Sequence, residues 1–206
     1  MKLLGLITLL FVVSTAVVYG QNDNTGSLLI RPTSSVDFYQ EEITLTVDDS
    51  LARVEGVYHF RNNTGHDLVK PVIFPFYIDS VTQYPHEIEV FYIDSIGERQ
   101  NIEFKERPER GCIAIRIPLA ANPENIWYLN YGQKISSKRA VYIITSTATW
   151  KKPLEQGTYT FITPQYFNEV TVWPEADTIY TTDSLTYRQC AKQSFMPMRE
   201  MEIIWK

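Results

Sequence analysis

Ala52-Arg53-Val54-Glu55-Gly56-Val57-Tyr58-His59-Phe60-Arg61 is the stretch whose reading decides the fold. Ala52, Val54, Gly56, Tyr58 and Phe60 alternate with Arg53, Glu55, His59 and Arg61, the two-residue period of a strand with one face dry and one wet. Just upstream, Ile43, Leu45 and Val47 alternate with Thr44 and Thr46. Just downstream, Asn62-Asn63-Thr64-Gly65 reads as a turn, because Asn and Gly accept left-handed backbone angles at little cost.

The same period predicts strands over 72–77, 88–93, 101–105, 113–119, 126–131, 140–149, 158–163, 170–173 and 201–205. Turn clusters such as Ser95-Ile96-Gly97-Glu98, Pro108-Glu109-Arg110-Gly111 and Glu155-Gln156-Gly157 separate them and predict antiparallel hairpins. One helix is expected, over 183–195, capped by Asp183 or Ser184 and carrying Leu185, Tyr187, Ala191 and Phe195. The 13 Tyr and 10 Phe against 9 Gly favour pleated, half-buried surfaces. The expected class is therefore all-β: an antiparallel two-sheet β-sandwich with a C-terminal extension, 174–206, packed onto it or completing it. A closed barrel is the alternative, since alternation does not say whether a sheet closes. An outer-membrane barrel needs longer strands and a more regular apolar band.

The N-terminus carries Lys2, an apolar run from Leu3 to Val18, and then Val18-Tyr19-Gly20 before polar Gln21-Asn22-Asp23-Asn24. That order of charge, apolar run and small residues reads as a secretory signal peptide over 1–20, cleaved after Gly20. Residues 21–206 would then form one mature domain in the periplasm or outside the cell, with no integral membrane segment left. No cysteine stands near the cleavage point to carry a lipid. The formal charge of −5 is dispersed, which argues against both a nucleic-acid surface and a polybasic membrane patch.

Val57-Tyr58-His59-Phe60-Arg61-Asn62, followed by Val72-Ile73-Phe74-Pro75-Phe76 and Gly97-Glu98-Arg99, resembles the start of the vault/inter-alpha-trypsin (VIT-type) β-sandwich. Tyr142-Ile143-Ile144-Thr145-Ser146-Thr147-Ala148-Thr149-Trp150, with Pro153, Tyr159 and Pro164, resembles secreted bacterial proteins with a related sandwich. The resemblance implies a fold and a secreted interaction or scaffolding role, and it brings no catalytic residues. The sequence departs from the family pattern in that the metal-binding adhesion domain that usually follows, and usually supplies ligand binding, is not expected here.

Nothing in the residues assembles a catalytic constellation. His59 falls on the charged face of its strand, His66 in a turn and His86 after Pro85. His86 with Asp79, Glu87 and Glu89 matches no tetrahedral zinc spacing. The acids of Glu103-Phe104-Lys105-Glu106-Arg107-Pro108-Glu109-Arg110 interleave with bases and read as a solvated hairpin end. No catalysis and no cofactor are expected. The candidate ligand-binding residues are the aromatics Trp127, Tyr131, Trp150 and Trp173, whose rings either pack the core or stack on a sugar or an apolar partner. Trp127, Leu129 and Tyr131 would share one strand face.

Cys112 and Cys190 are expected to form a disulfide in an oxidising compartment. Alternation places Cys112 opposite the face of Ile113, Ile115, Ile117 and Leu119, where a C-terminal segment could cross it. The bond would close a loop of about 80 residues, worth up to about 4.5 kcal/mol by chain entropy. Two separate thiols are the alternative. The sequence thus predicts an exported, non-catalytic binding module with a protein or glycan partner; the rival reading is a secreted carbohydrate-active module using exposed aromatic rings.

Overall fold

The computed structural model describes residues 35–122 and 124–206. The expected signal peptide, 1–20, lies outside the described residues. Strands β1 (Val36–Val47) and β2 (Leu51–Asn62) form the hairpin read from the alternation. Its turn is set by Asp48, whose Oδ1 accepts the N–H groups of Ser50 at 3.0 Å and Leu51 at 2.9 Å.

Beyond β2 lie β8 (Asn125–Lys134), β4 (His86–Ile93) and the short β5 (Arg99–Asn101). On the other side of β1 lie β10 (Leu154–Pro164), β13 (Leu185–Phe195) and β12 (Thr178–Thr181). Together they make an eight-stranded sheet in the order β12-β13-β10-β1-β2-β8-β4-β5. Its end strands do not pair with each other, so the sheet is open and no barrel closes. All its neighbours are antiparallel except β1 and β10, which run parallel from Gln40 beside Gln156 to Thr46 beside Ile162.

Two three-stranded sheets make up the rest. One joins β3 (Leu68–Pro75), β7 (Cys112–Leu119) and β6 (Phe104–Arg107). The other joins β11 (Thr171–Trp173), β14 (Met201–Ile204) and β9 (Arg139–Tyr142). Aromatic contacts tie both to the large sheet: Phe74 meets Tyr58 at 5.9 Å, Phe76 meets Tyr131 at 5.0 Å, and the hydroxyls of Tyr58 and Tyr142 share a hydrogen bond of 2.7 Å. The fold is all-β and sandwich-like, with three sheets where two were expected and one parallel pair among antiparallel neighbours.

The C-terminal extension completes the sandwich. The predicted helix over 183–195 is instead strand β13, paired to β10 from Leu185–Pro164 to Phe195–Leu154. Its capping residues Asp183 and Ser184 sit in the hairpin turn from β12, closed by the Thr182 N–H on the Leu185 carbonyl at 2.9 Å. The strand expected over 140–149 stops at Tyr142, and a 3-10 turn covers Thr145–Trp150. Glu200 causes this: its carboxylate accepts the N–H groups of Ile144 at 2.8 Å and Thr145 at 3.0 Å and the Thr145 hydroxyl at 2.5 Å. The strand expected over 101–105 is divided at Ile102, whose N–H reaches the Val90 carbonyl at 2.8 Å before the chain crosses to the other layer as β6.

The predicted turn at Glu155-Gln156-Gly157 is also corrected, because all three lie within β10. Gly157 stands beside Glu41, and a Cβ there would come 2.6 Å from the Tyr159 hydroxyl. The ring of Tyr159 uses that space to reach Glu41.

Candidate functional site

At one end of the sandwich the two layers part. The opening is bounded by Asp67, Leu68 and Val69 entering β3, by Pro118 to Ala120 leaving β7, by Tyr92 to Ser95 at the end of β4, and by Glu124 to Tyr128 at the start of β8. It is an open cleft of about 810 Å³, within the range of small-molecule sites.

Local chemistry explains why these loops stay open. Asn62 ends β2 buried, and its amide donates to the carbonyls of His66 at 2.8 Å, Leu119 at 3.1 Å and Ala120 at 3.0 Å. Its Oδ1 accepts the Thr64 N–H at 3.0 Å and hydroxyl at 2.6 Å. One side chain thus holds the β2–β3 turn to the end of β7. Asp67 Oδ1 accepts the Ala121 N–H at 2.7 Å, fixing the same corner. Across the cleft, Asp94 Oδ1 accepts the N–H groups of Ile96 at 3.0 Å and Glu98 at 2.9 Å, with Gly97 at φ +85° completing the hairpin. Those bonds hold the Asp94 carboxyl below its usual range, the Glu98 N–H being the largest cause.

Trp127 lies on the cleft's inner wall and is 4 % exposed. Its ring packs on Phe60 at 5.6 Å. Its indole N–H is buried and has no hydrogen-bond partner among the described residues. Leaving a buried donor unpaired costs about 1–3 kcal/mol, so such atoms are rare. Around it the lining is mainly apolar, and every charged lining residue is acidic: Asp67, Asp94 and Glu124.

The four aromatic residues singled out from the sequence do not form a platform. Trp127, Leu129 and Tyr131 do share one face of β8, but that face is the core, and Tyr131 is 4 % exposed. Trp150 caps the core against Phe38 at 5.7 Å and Phe60 at 5.6 Å. Trp173 sits apart on β11, with the Arg199 guanidinium 5.0 Å from its ring. As a stacking surface the set is therefore corrected: two members are interior and the other two do not adjoin each other.

The rings displayed on the outer face of the large sheet are different ones. Phe91 and Tyr128, paired across β4 and β8, stack at 4.8 Å with 6° between planes, and Arg99 lies 3.8 Å over Phe91. On the same face, His59 is corrected from solvated to buried. The alternation gave its face, but a β-bulge at Tyr39 swings that ring to 5.9 Å from the imidazole. Its Nε2 pairs with Glu42 Oε1 across 3.2 Å, while Nδ1, 3.7 Å from Glu124 Oε1, has no hydrogen-bond partner among the described residues.

The bulge also sends Glu41 inward. Glu41 is 3 % exposed and accepts the Tyr159 hydroxyl at 2.7 Å. Burial pushes its carboxyl up to about 7, the Tyr159 bond only partly offsetting this. Burial likewise raises the hydroxyls of Tyr58, Tyr142 and Tyr159 well above their ordinary value.

The expected disulfide is absent. Cys112 is on β7 opposite Pro75, and Cys190 is on β13 opposite Tyr159 with its Sγ 3.9 Å from the Pro174 carbonyl. Both are free and buried. Burial is the difference: Cys112 lies on the face opposite Ile113, yet both residues are buried at that end of β7. Burial raises both thiols, Cys190 to about 11.

Asp67, Asp94 and Glu124 were not legible as a group. Asp94 before Ser-Ile-Gly carries a turn signal, but nothing in the sequence shows that three turns far apart in the chain meet at one opening. Among the described residues no helix is long and apolar enough to cross a membrane, and no group of three or more His, Cys, Asp and Glu side chains is placed to hold a metal.

No family model matches the chain, and no curated protein matches it in sequence. Solved structures do resemble it. One is a protein named as a putative nutrient binding protein of Legionella pneumophila, with a TM-score of 0.56 and 9 % identity, covering 83 % of this chain and 67 % of that one. Another is an M1 zinc metallopeptidase of Deinococcus radiodurans, with a TM-score of 0.50 and 8 % identity, covering 82 % of this chain and 42 % of the enzyme. The chain thus spans about two fifths of the peptidase's length. At these identities the likeness is one of fold.

Proposed function

We propose that this chain is an exported, non-catalytic binding protein and that the cleft between β3–β7 and β4–β8 is its ligand site. The observation that carries the reading is the open cleft of about 810 Å³ itself, lined mainly by apolar side chains with Asp67, Asp94 and Glu124 as its charged residues. A concave apolar opening with few polar groups is the usual form of a small-molecule site. Export rests on the order of residues over 1–20.

A non-catalytic role is supported by what the sequence puts at the one position reminiscent of a zinc peptidase. The H-E-x-x-H motif sets two histidines on one helix turn. Here His86-Glu87 is followed at the fifth place by Val90, and the segment is strand β4.

A second reading is favoured by the half-buried, stacked Phe91 and Tyr128 with Arg99 on the outer face: a carbohydrate-binding surface, since aromatic rings and a guanidinium can pack on sugars. Two measurements test these readings. N-terminal sequencing of the exported protein should begin at or near Gln21, and an intact Met1 in a membrane fraction would refute export. Ligand screening by NMR should move the Trp127 indole resonance; a glycan that shifts Phe91 instead, and is lost in Phe91→Ala, would establish the second reading.

A further inference from the structure

Independently of the cleft, we infer that the edge strand β12 is an interaction surface whose partner is a second copy of this chain, the two β12 strands pairing antiparallel about a twofold axis at Tyr180. Open sheet edges invite strand addition, and proteins guard them with charge, proline, cover or very short strands. The other edges of the three sheets are guarded in these ways. β5 and β11 are only three residues long, β3 contains Pro71 and Pro75, β6 carries Lys105, Glu106 and Arg107, and β9 is buried from Ala140 to Tyr142. β12 is longer than the first two and has no charge, proline or cover. All four of its residues, Thr178-Ile179-Tyr180-Thr181, are exposed, Ile179 by 62 % and Tyr180 by 43 %.

The edge is also matched to itself. The Thr182 N–H on the Leu185 carbonyl at 2.9 Å sets the parity of the β12–β13 hairpin. Antiparallel pairs alternate between bonded and unbonded, so Tyr180 and Thr178 spend their N–H and C=O groups on Tyr187 and Gln189, while those of Ile179 and Thr181 point away from β13. A second β12 turned about Tyr180 sets Ile179 of each copy beside Thr181 of the other, and all of those outward groups are then used in about four main-chain hydrogen bonds. The two Tyr180 side chains meet across an unbonded pair, about 5 Å apart at Cβ. Tyr180 already stacks on Tyr187 at 4.9 Å with 2° between planes, so the pairing carries the stack through both copies and covers the open side of the Tyr180 ring. At the ends, Asp183 of one copy falls beside Asp177 of the other. Asp177 is offset by Lys192 at 3.4 Å and accepts the Ala191 N–H at 3.1 Å, which leaves little repulsion there. A foreign strand would find the same main-chain groups without the matching ring on the axis. So short a seam belongs with the small, reversible interfaces.

The test is sedimentation velocity of the purified protein from about 10 to 500 μM, the range in which a small interface equilibrates. The mass should rise from one copy toward two with concentration. Two variants weaken the seam without touching an internal bond: Thr181→Pro removes an outward N–H, and Ile179→Lys puts a cation on the edge. Each should raise the dimer dissociation constant by about tenfold or more while the urea midpoint stays near that of the parent. The register has its own readout. Tyr180→Cys sits on the twofold axis and should link into a covalent dimer under mild oxidation. Thr178→Cys faces Thr182 of the other copy and should not, the buried Cys112 and Cys190 being a background common to both variants. A single copy at every concentration would overturn the proposal, and slow amide exchange at Ile179 and Thr181 in that single copy would give the edge to another segment of this chain. A dimer that survives both edge variants, or that links through Thr178→Cys as readily as through Tyr180→Cys, would overturn the β12 seam.

Discussion

Tyr159 donates its hydroxyl hydrogen to Glu41 across 2.7 Å in the interior of the sandwich. The carboxyl has no cation beside it: its strand neighbours are Tyr58 on β2 and Gly157 on β10. A buried acid without a counter-charge is held toward its neutral form.

The folded carboxyl therefore titrates near 7 where an unburied one titrates near 4.5. Its contribution to stability is fully present below about 4.5 and is lost as pH rises through 7, because ionisation is easier in the unfolded chain. The upward shift corresponds to about 3 kcal/mol. Urea unfolding should show the protein losing stability between pH 5 and pH 8. Glu41→Gln, which keeps an acceptor for Tyr159, should be flatter across that window and more stable than the parent at pH 8. A pH dependence identical in both proteins would refute the assignment.

A Cβ at Gly56 would stand 2.2 Å from the Tyr58 hydroxyl and 2.6 Å from its ring carbon Cζ. That ring is buried and its hydroxyl is tied to Tyr142, so it has little room to yield. Gly56→Ala should cost about 1–3 kcal/mol, typical of an overpacked core. A denaturant midpoint unchanged from the parent would show that the ring moves freely.

Asn62→Ala removes two amide hydrogens shared among three carbonyls and an acceptor used twice by Thr64, at the corner of the cleft. With part of that corner buried, the loss should be about 2–4 kcal/mol in denaturant unfolding. Faster amide exchange should appear at Thr64 and Ala121, which depend on this corner, before it appears in β10.

Both thiols should be silent in the folded protein and countable in the unfolded one. Cys190, with its thiol pushed up to about 11, has almost no thiolate at pH 8. Thiol titration without reductant should find two groups in denaturant and far slower reaction without it. None in denaturant would establish the disulfide that the structure does not contain.

The β2 stretch was legible because both of its faces are sampled in order: Ala52, Val54 and Tyr58 inside, Arg53 and Glu55 outside. β13 was not, because its inward positions Thr186 and Cys190 are weak apolar signals and its partner β12 covers only four of its residues. Periodicity also states a side and not a depth. His59 is on the side read from the sequence, yet the bulge at Tyr39 roofs it over. That bulge also shifts β1's alternation by one, which is why Val36 and Phe38 share a face with Glu41 and Ile43. The apolar body of the cleft could be inferred from strand ends such as Leu119 and Ile126. Its acidic mouth depends on which turns meet, and turns far apart in the chain meet only once the sheets are assembled.

The parallel pairing of β1 with β10 has a consequence for how the chain is made. Segments some 115 residues apart must lie side by side, and β10, β13 and β12 all join the large sheet through that one seam. Until residue 164 has emerged, β1 is an open border with Gln40 to Thr46 unpaired along it. Such borders recruit other strands. A product truncated before β10 should therefore associate with itself or be held by a chaperone, where the full-length chain closes its own border.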